Sequence, residues 1–198
     1  MSPKVESAQP GPGPRRQALT LWLTGLSGAG KSTVAYALEG RFRDAGISAL
    51  VLDGDAVRAG LCRDLGFTPE DRAESARRVA EVARLLNEAG VVAICALISP
   101  FAVDRKRARD IIGAQRFIEI FVDTPLAVCA ERDTKGLYAM ARKGALGSLT
   151  GVHQAYEPPA APDLRVTTVD QTVAQSADRV FAAVQPRLAP NLGFAATD

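Results

Sequence analysis

Gly25-Leu26-Ser27-Gly28-Ala29-Gly30-Lys31-Ser32-Thr33 has the residue types and spacing of a phosphate-binding loop. Its GxxxxGK[ST] core follows an apolar run and precedes a helical pattern, the context that the chemistry requires. Glycines let successive backbone N–H groups turn inward around phosphate oxygens, Lys31 neutralises the transferring end, and the Ser32 hydroxyl suits a magnesium ion. These residues imply a bound nucleoside triphosphate, ATP as phosphoryl donor, with Mg2+. Asp53 and Asp55 flank Gly54 further on. Alone, Asp-Gly-Asp is as readily a plain turn. Beside a phosphate loop, such carboxylates orient magnesium or accept a proton from an attacking hydroxyl. Arg58, Arg72, Arg77 and Arg78 follow, and guanidinium groups grip phosphate or sulfate oxygens bidentately. Arg72 is the strongest of these, because a cation near a helix start gains nothing from the dipole. Arg77 and Arg78 are open between ligand and surface roles.

The elements that must position these groups alternate. Leu19 to Leu23 reads as a buried strand and Lys31 to Ala45 as a helix, with Val34, Ala37, Leu38 and Phe42 on one face. Ala49 to Leu52 is a second strand that delivers Asp53 at its carboxyl end, where open α/β sheets bind ligands. Thr68-Pro69-Glu70-Asp71 starts a helix with a hydroxyl cap, a first-position proline and acids at the positive dipole end, running to about Ala89. Val91 to Leu97 and Phe117 to Val122 are further strands, with a basic helix over Asp104 to Ile112 between them. Leu164 to Val169 closes the sheet and Thr172 to Leu188 the chain. Such alternation predicts an α/β three-layer sandwich, a mostly parallel sheet with helices on both faces. Residues 134 to 162 break the rhythm with glycine and proline, as a lid does.

Of 198 residues, 47% are hydrophobic and 23% charged, values for one globular domain. Twenty-four basic against 22 acidic side chains leave a net charge of +2, which gives no field to gather nucleic acid or anionic membrane. No apolar run approaches the roughly 20 residues that span a bilayer. Cys62, Cys95 and Cys129 have no metal-ligand spacing and read as reduced, packed thiols. Residues 1–17, rich in proline and glycine and without a signal-like apolar core, are expected to be a disordered arm of a cytoplasmic protein. Residues 18–190 are then a single domain and 191–198 a flexible end.

The chain resembles the adenylylsulfate kinase family from about Leu19 to Thr168. The resemblance rests on GLSGAGKST, on DGD followed by Arg58, on LGF with Asp71-Arg72 and Arg77-Arg78, and on Ile98-Ser99-Pro100. FVDTPL, ERDTKGLY, Thr150-Gly151 and Tyr156-Glu157-Pro158 complete it. It implies a P-loop kinase fold, often homodimeric, that phosphorylates the 3'-hydroxyl of adenosine 5'-phosphosulfate (APS) in sulfate activation. Asp53 and Asp55 would position magnesium and the acceptor hydroxyl, with Asp55 as proton acceptor. Arg58, Phe67, Arg72, Ile98 and Ser99 would hold APS, with Phe67 stacked on its adenine. The lid would begin at Arg132, on the ATP side, and bring Lys135 to the acceptor. Ser99 matches a serine described as a phosphoserine intermediate, although in-line transfer needs no such step.

Departures from the family pattern gather on the expected acceptor side. Ala56 and Ser75 stand for asparagines, Ala102 for an arginine, Leu149 for an aromatic that completes the adenine sandwich, and His153 for an aspartate. Losing a stacking face removes roughly 1–3 kcal/mol, and losing a hydrogen bond to a charged group roughly 1.5–3 kcal/mol. Two alternatives therefore stay open: a related kinase for another small hydroxyl acceptor, and a nucleotide-binding subunit without turnover.

Overall fold

The computed structural model describes residues 18–145 and 147–188. The arm expected at 1–17 and the end expected at 191–198 lie outside the described residues. Five strands, β1 (Thr20–Thr24), β2 (Ala49–Asp53), β3 (Val92–Ala96), β4 (Phe117–Val122) and β5 (Leu164–Val166), form one sheet in the order β2-β3-β1-β4-β5. Every pairing is parallel, with Leu21 opposite Ile94 and Ile118.

Alternation along each strand splits the core in two. Leu21, Leu23, Ile94 and Ile120 face Val34, Leu38 and Phe42 of α1 (Lys31–Asp44) and Ala177, Val180 and Val184 of α7 (Val173–Val184). On the opposite face Trp22, Ala93, Cys95 and Phe117 meet Val79, Ala80 and Ala83 of α3 (Pro69–Glu88) and Ala108 and Ile112 of α4 (Ala102–Ile112). Helices cover both sheet faces, as the alternating pattern predicts. Burying one Leu or Phe contributes about 1.5–3 kcal/mol, so these two clusters dominate the stability.

Thr68 caps α3 through the amide of Asp71, whose carboxylate returns to the Thr68 amide as a capping box. Thr172 and Gln175 do the same for α7. The final helix breaks at Val184 and continues as a 3₁₀ turn, Gln185–Leu188, so the single helix expected to Leu188 is two pieces. Three short helices lack a sequence forecast: α2 (Gly54–Ala59), α5 (Leu126–Arg132) and α6 (Leu137–Arg142). Each spans two turns or less, too short for a periodic signal. Cys62, Cys95 and Cys129 are free and buried, and burial pushes the Cys95 and Cys129 thiols up. Among the described residues, no helix is long and apolar enough to cross a membrane.

Candidate active site

The strand order switches at β1, whose neighbours are β3 and β4, and the crevice at the carboxyl ends of these strands is where ligands bind in such sheets. A cavity of about 600 Å³ lies there. The phosphate loop enters it from β1, Asp53 from β2, and Ile98 and Ser99 from the end of β3.

Close packing shapes the loop. A Cβ on Gly25 would stand 2.6 Å from the Val122 carbonyl oxygen, and one on Gly28 2.8 Å from that of Cys129. Gly28 also has φ 76°, a conformation that L side chains rarely adopt. Ser27, Gly28, Gly30, Lys31, Ser32 and Thr33 line the cavity. Gly25, Leu26 and Ala29, also expected to touch ATP, do not line it. Their backbone holds the loop instead: the Gly25 and Leu26 carbonyls accept from Lys31 Nζ at 3.0 and 2.8 Å, and the Ala29 carbonyl accepts from the Thr124 and Thr168 hydroxyls. Lys31 is 8% exposed. Burial, with Lys135 nearby, lowers its pKa to about 8.

Asp53 is a helix cap as well as a strand end. Its Oδ1 accepts from the Asp55 amide at 2.9 Å at the start of α2, which settles Asp-Gly-Asp as a helix start rather than a plain turn. Its Oδ2 accepts from Ser32 Oγ at 2.5 Å. Burial alone would raise the Asp53 pKa, but the Ser32 hydroxyl, the Asp55 and Ala56 amides and Lys135 outweigh it and hold the carboxyl below its usual range. The result is an ionised carboxylate and a hydroxyl side by side. Such hard oxygen donors, few in number, suit magnesium, which takes one or two carboxylates and completes its shell with water and phosphate. Asp55 is exposed and paired with Lys135, which reaches it from beyond α5.

On the other side of the carboxylates the cavity is bounded by Arg58, Phe67, Arg72 and Ser75. The Arg58 guanidinium lies 4.3 Å from the Phe67 ring centroid and that of Arg72 5.6 Å. Arg72 is buried, and that burial together with Arg58 lowers its pKa. Two cations beside one aromatic ring, neither in an ion pair among the described residues, make an anion pocket. Arg77 and Arg78 belong elsewhere: Arg77 pairs with Glu74 at 2.7 Å, and Arg78 with Asp64 and Glu74 at 2.7 and 2.9 Å. Their role is a surface ion-pair network. Ser99 has φ 43°, and its Oγ accepts from Trp22 Nε1 at 3.1 Å.

The segment expected to break the rhythm borders this cavity at Thr134, Lys135, Leu137, Ser148, Leu149 and Thr150 and is less irregular than expected, because it contains α6. The Asp133 carboxylate accepts from the Tyr138 and Ala139 amides, and Tyr138 Oη donates to the Ser27 carbonyl at 2.9 Å. Arg132 donates to both Thr168 oxygens at 2.7 Å, at the cavity end lined by Thr168, Gln171 and Ser176. Sequence reasoning missed these three. Thr168 and Gln171 sit two and five residues past β5 and Ser176 inside α7, where no motif marks them. Ser148 and Thr150 also line the cavity, with buried hydroxyls that have no hydrogen-bond partner among the described residues.

Of the five departures, only Ser75 and Leu149 line the cavity. The expectation that all five gather there is corrected. Ala102 opens α4 and gives its amide to Glu157 Oε2 at 2.7 Å, Ala56 is an exposed position on α2, and His153 is exposed outside this cavity. Leu149 is 3% exposed and anchored in the core.

A phosphate loop, a serine–aspartate pair and a basic, aromatic pocket in one cavity define a P-loop phosphotransferase. A profile of the family described as adenylylsulphate kinase matches residues 17–167, and the chain belongs to that family. It is 48% identical over 168 residues to an adenylyl-sulfate kinase of Pseudomonas aeruginosa, covering 85% of this chain and 86% of that one. Among solved structures it is similar to the APS kinase of Mycobacterium tuberculosis in complex with AMPPNP and APS, with TM-score 0.82 and 45% identity over 86% of this chain and 99% of that one. It is also similar to a hexameric APS kinase from Thiobacillus denitrificans, with TM-score 0.66 and 30% identity over 89% of this chain and 30% of that one.

Proposed function

We propose that this chain transfers the γ-phosphoryl group of ATP to the 3'-hydroxyl of APS, giving ADP and 3'-phosphoadenylyl sulfate. The observation that carries the reading is one continuous cavity with the phosphate loop at one end, the Arg58–Phe67–Arg72 pocket at the other and Asp53 and Asp55 between. Phosphoryl transfer is mostly positioning and charge stabilisation, and that is the chemistry these groups supply. Backbone amides of Ser27, Gly28 and Gly30 to Thr33 cradle the β- and γ-phosphates, and Lys31 stabilises charge on the transferring group. Arg132 holds the donor end. Arg58 and Arg72 grip the phosphosulfate, Phe67 stacks on the acceptor adenine, Leu149 covers its other side, and Ile98 and Ser99 floor the pocket. Asp55 accepts the proton that leaves the 3'-oxygen as its bond to phosphorus forms and the bond to the ADP oxygen breaks. Lys135 steers the acceptor beside it. Ser32, Asp53 and Asp55 would hold Mg2+, which supplies neutralisation of the phosphate charge.

Ser99 is a floor residue in this reading. Its hydroxyl is bonded to the Trp22 indole, and direct transfer between two bound nucleotides requires no phosphoserine. Protein incubated with ATP alone and analysed by mass spectrometry should carry no added phosphate on Ser99. Purified protein with ATP, magnesium and APS should form 3'-phosphoadenylyl sulfate, and no product at saturating substrate would sink the proposal. Ser75 and Leu149 favour a second reading, a different hydroxyl acceptor, because they alter the pocket wall itself. ADP release with a panel of nucleosides, nucleotides and sugars separates the two. A homodimer, with residues 134–162 as its mobile lid, completes the proposal. Light scattering should give twice the chain mass of 20.9 kDa. Cytoplasmic location, supported by three unpaired thiols, is testable by cell fractionation.

A further inference from the structure

We propose that Gln154 is a positioning residue that ties the two walls of the acceptor pocket together; the identity of the acceptor rests on the APS reading. Gln154 Oε1 accepts from Arg72 Nε at 3.0 Å, and its Nε2 donates to the Phe67 carbonyl at 3.1 Å. Chemistry fixes the orientation of this amide. A guanidinium offers only N–H and a peptide carbonyl only lone pairs, so a flipped amide would lose both bonds.

The backbone of Gln154 is equally tied, to the other wall. Its amide donates to the Leu149 carbonyl at 3.2 Å, its carbonyl accepts from the Gly151 amide at 2.7 Å, and Leu149 is seated in the core. One residue thus connects Leu149 to Phe67 and Arg72. Arg72 depends on it, because no carboxylate among the described residues holds this buried cation. Its Nε is shared between Gln154 and the Phe67 carbonyl, 3.2 Å away, which leaves the Nη nitrogens for the cavity it lines. Without Gln154 the guanidinium keeps a single neutral acceptor, and the Phe67 backbone loses its partner from the opposite wall. The loss falls on the acceptor, since the side-chain hydrogen bonds of Gln154 among the described residues go to Arg72 and Phe67.

Gln154→Met keeps the length of the side chain and removes both hydrogen bonds. It should raise the KM for APS about tenfold, in keeping with one lost hydrogen bond to a charged group. The KM for ATP and kcat should stay within about twofold, a split that general loosening would not give. An unchanged KM for APS, or an equal rise in both KM values, overturns the proposal. A second measurement stands apart from acceptor identity. In the ligand-free protein, amide hydrogen exchange over residues 66–72 should be faster in Gln154→Met than in the wild type, with the β1–α1 loop unchanged. Equal exchange there overturns the tie even if APS turnover by the wild type is normal, whereas absent turnover by the wild type counts against the APS reading alone.

Discussion

The two ends of the cavity are built on opposite plans. The donor end is built around a single stretch, Ser27 to Thr33, held by its own carbonyls and by the close approach of Val122 and Cys129, with Arg132 and Thr168 beside it. The acceptor end is gathered from β2–α2, the start of α3, the end of β3 and the turn at Leu149–Gln154, joined by side chains. A site centred on one loop tolerates change poorly. A site assembled from four segments can be retuned at any of them, and Ser75 and Leu149 are the departures that line it.

The largest test of the contrast is at the donor end. Lys31→Ala should lower kcat by about 10²–10³, the scale for removing one preorganised charge-stabilising group, as read by ADP release. Next, Arg72→Ala and Phe67→Ala should each raise the KM for APS by about 10–100-fold and leave the KM for ATP within about twofold; a parallel rise would erase the distinction between the ends. A smaller effect comes from pH. Lys31 has a pKa of about 8 in the free protein, and bound phosphate raises it, so the complex holds more protons than the free protein above that value. ATP affinity should therefore be constant below pH 8 and fall above it, by at most about tenfold per pH unit. Titration calorimetry in buffers of different ionisation heat would detect the proton taken up. The smallest effect is at His153, where alanine should change both KM values by less than about twofold; a larger shift in the KM for APS would return it to the pocket.

The same contrast explains how much the sequence discloses. GxxxxGK[ST] is contiguous, so composition and spacing alone place Lys31 and Ser32, and the capping residues Thr68 and Thr172 mark helix starts to within a residue. Asp53 is ambiguous by itself because its roles as cap and Ser32 partner depend on bringing β2 beside α1. Arg77 and Arg78 look like ligands until Glu74, one turn away, and Asp64 are seen to take them. Gln154 leaves no trace at all. A neutral side chain in a turn becomes informative only when Arg72, 82 positions earlier, is found against it.

The buried cysteines make this protein chemically silent toward thiol reagents. Cys62, Cys95 and Cys129 are each 0% exposed, and burial pushes the Cys95 and Cys129 thiols up, which slows their reaction further. A single cysteine introduced on the surface would then be the one reactive handle among the described residues. A maleimide dye at exposed Val152 would report how the turn beside the acceptor pocket moves during turnover, with no need to remove a native residue first.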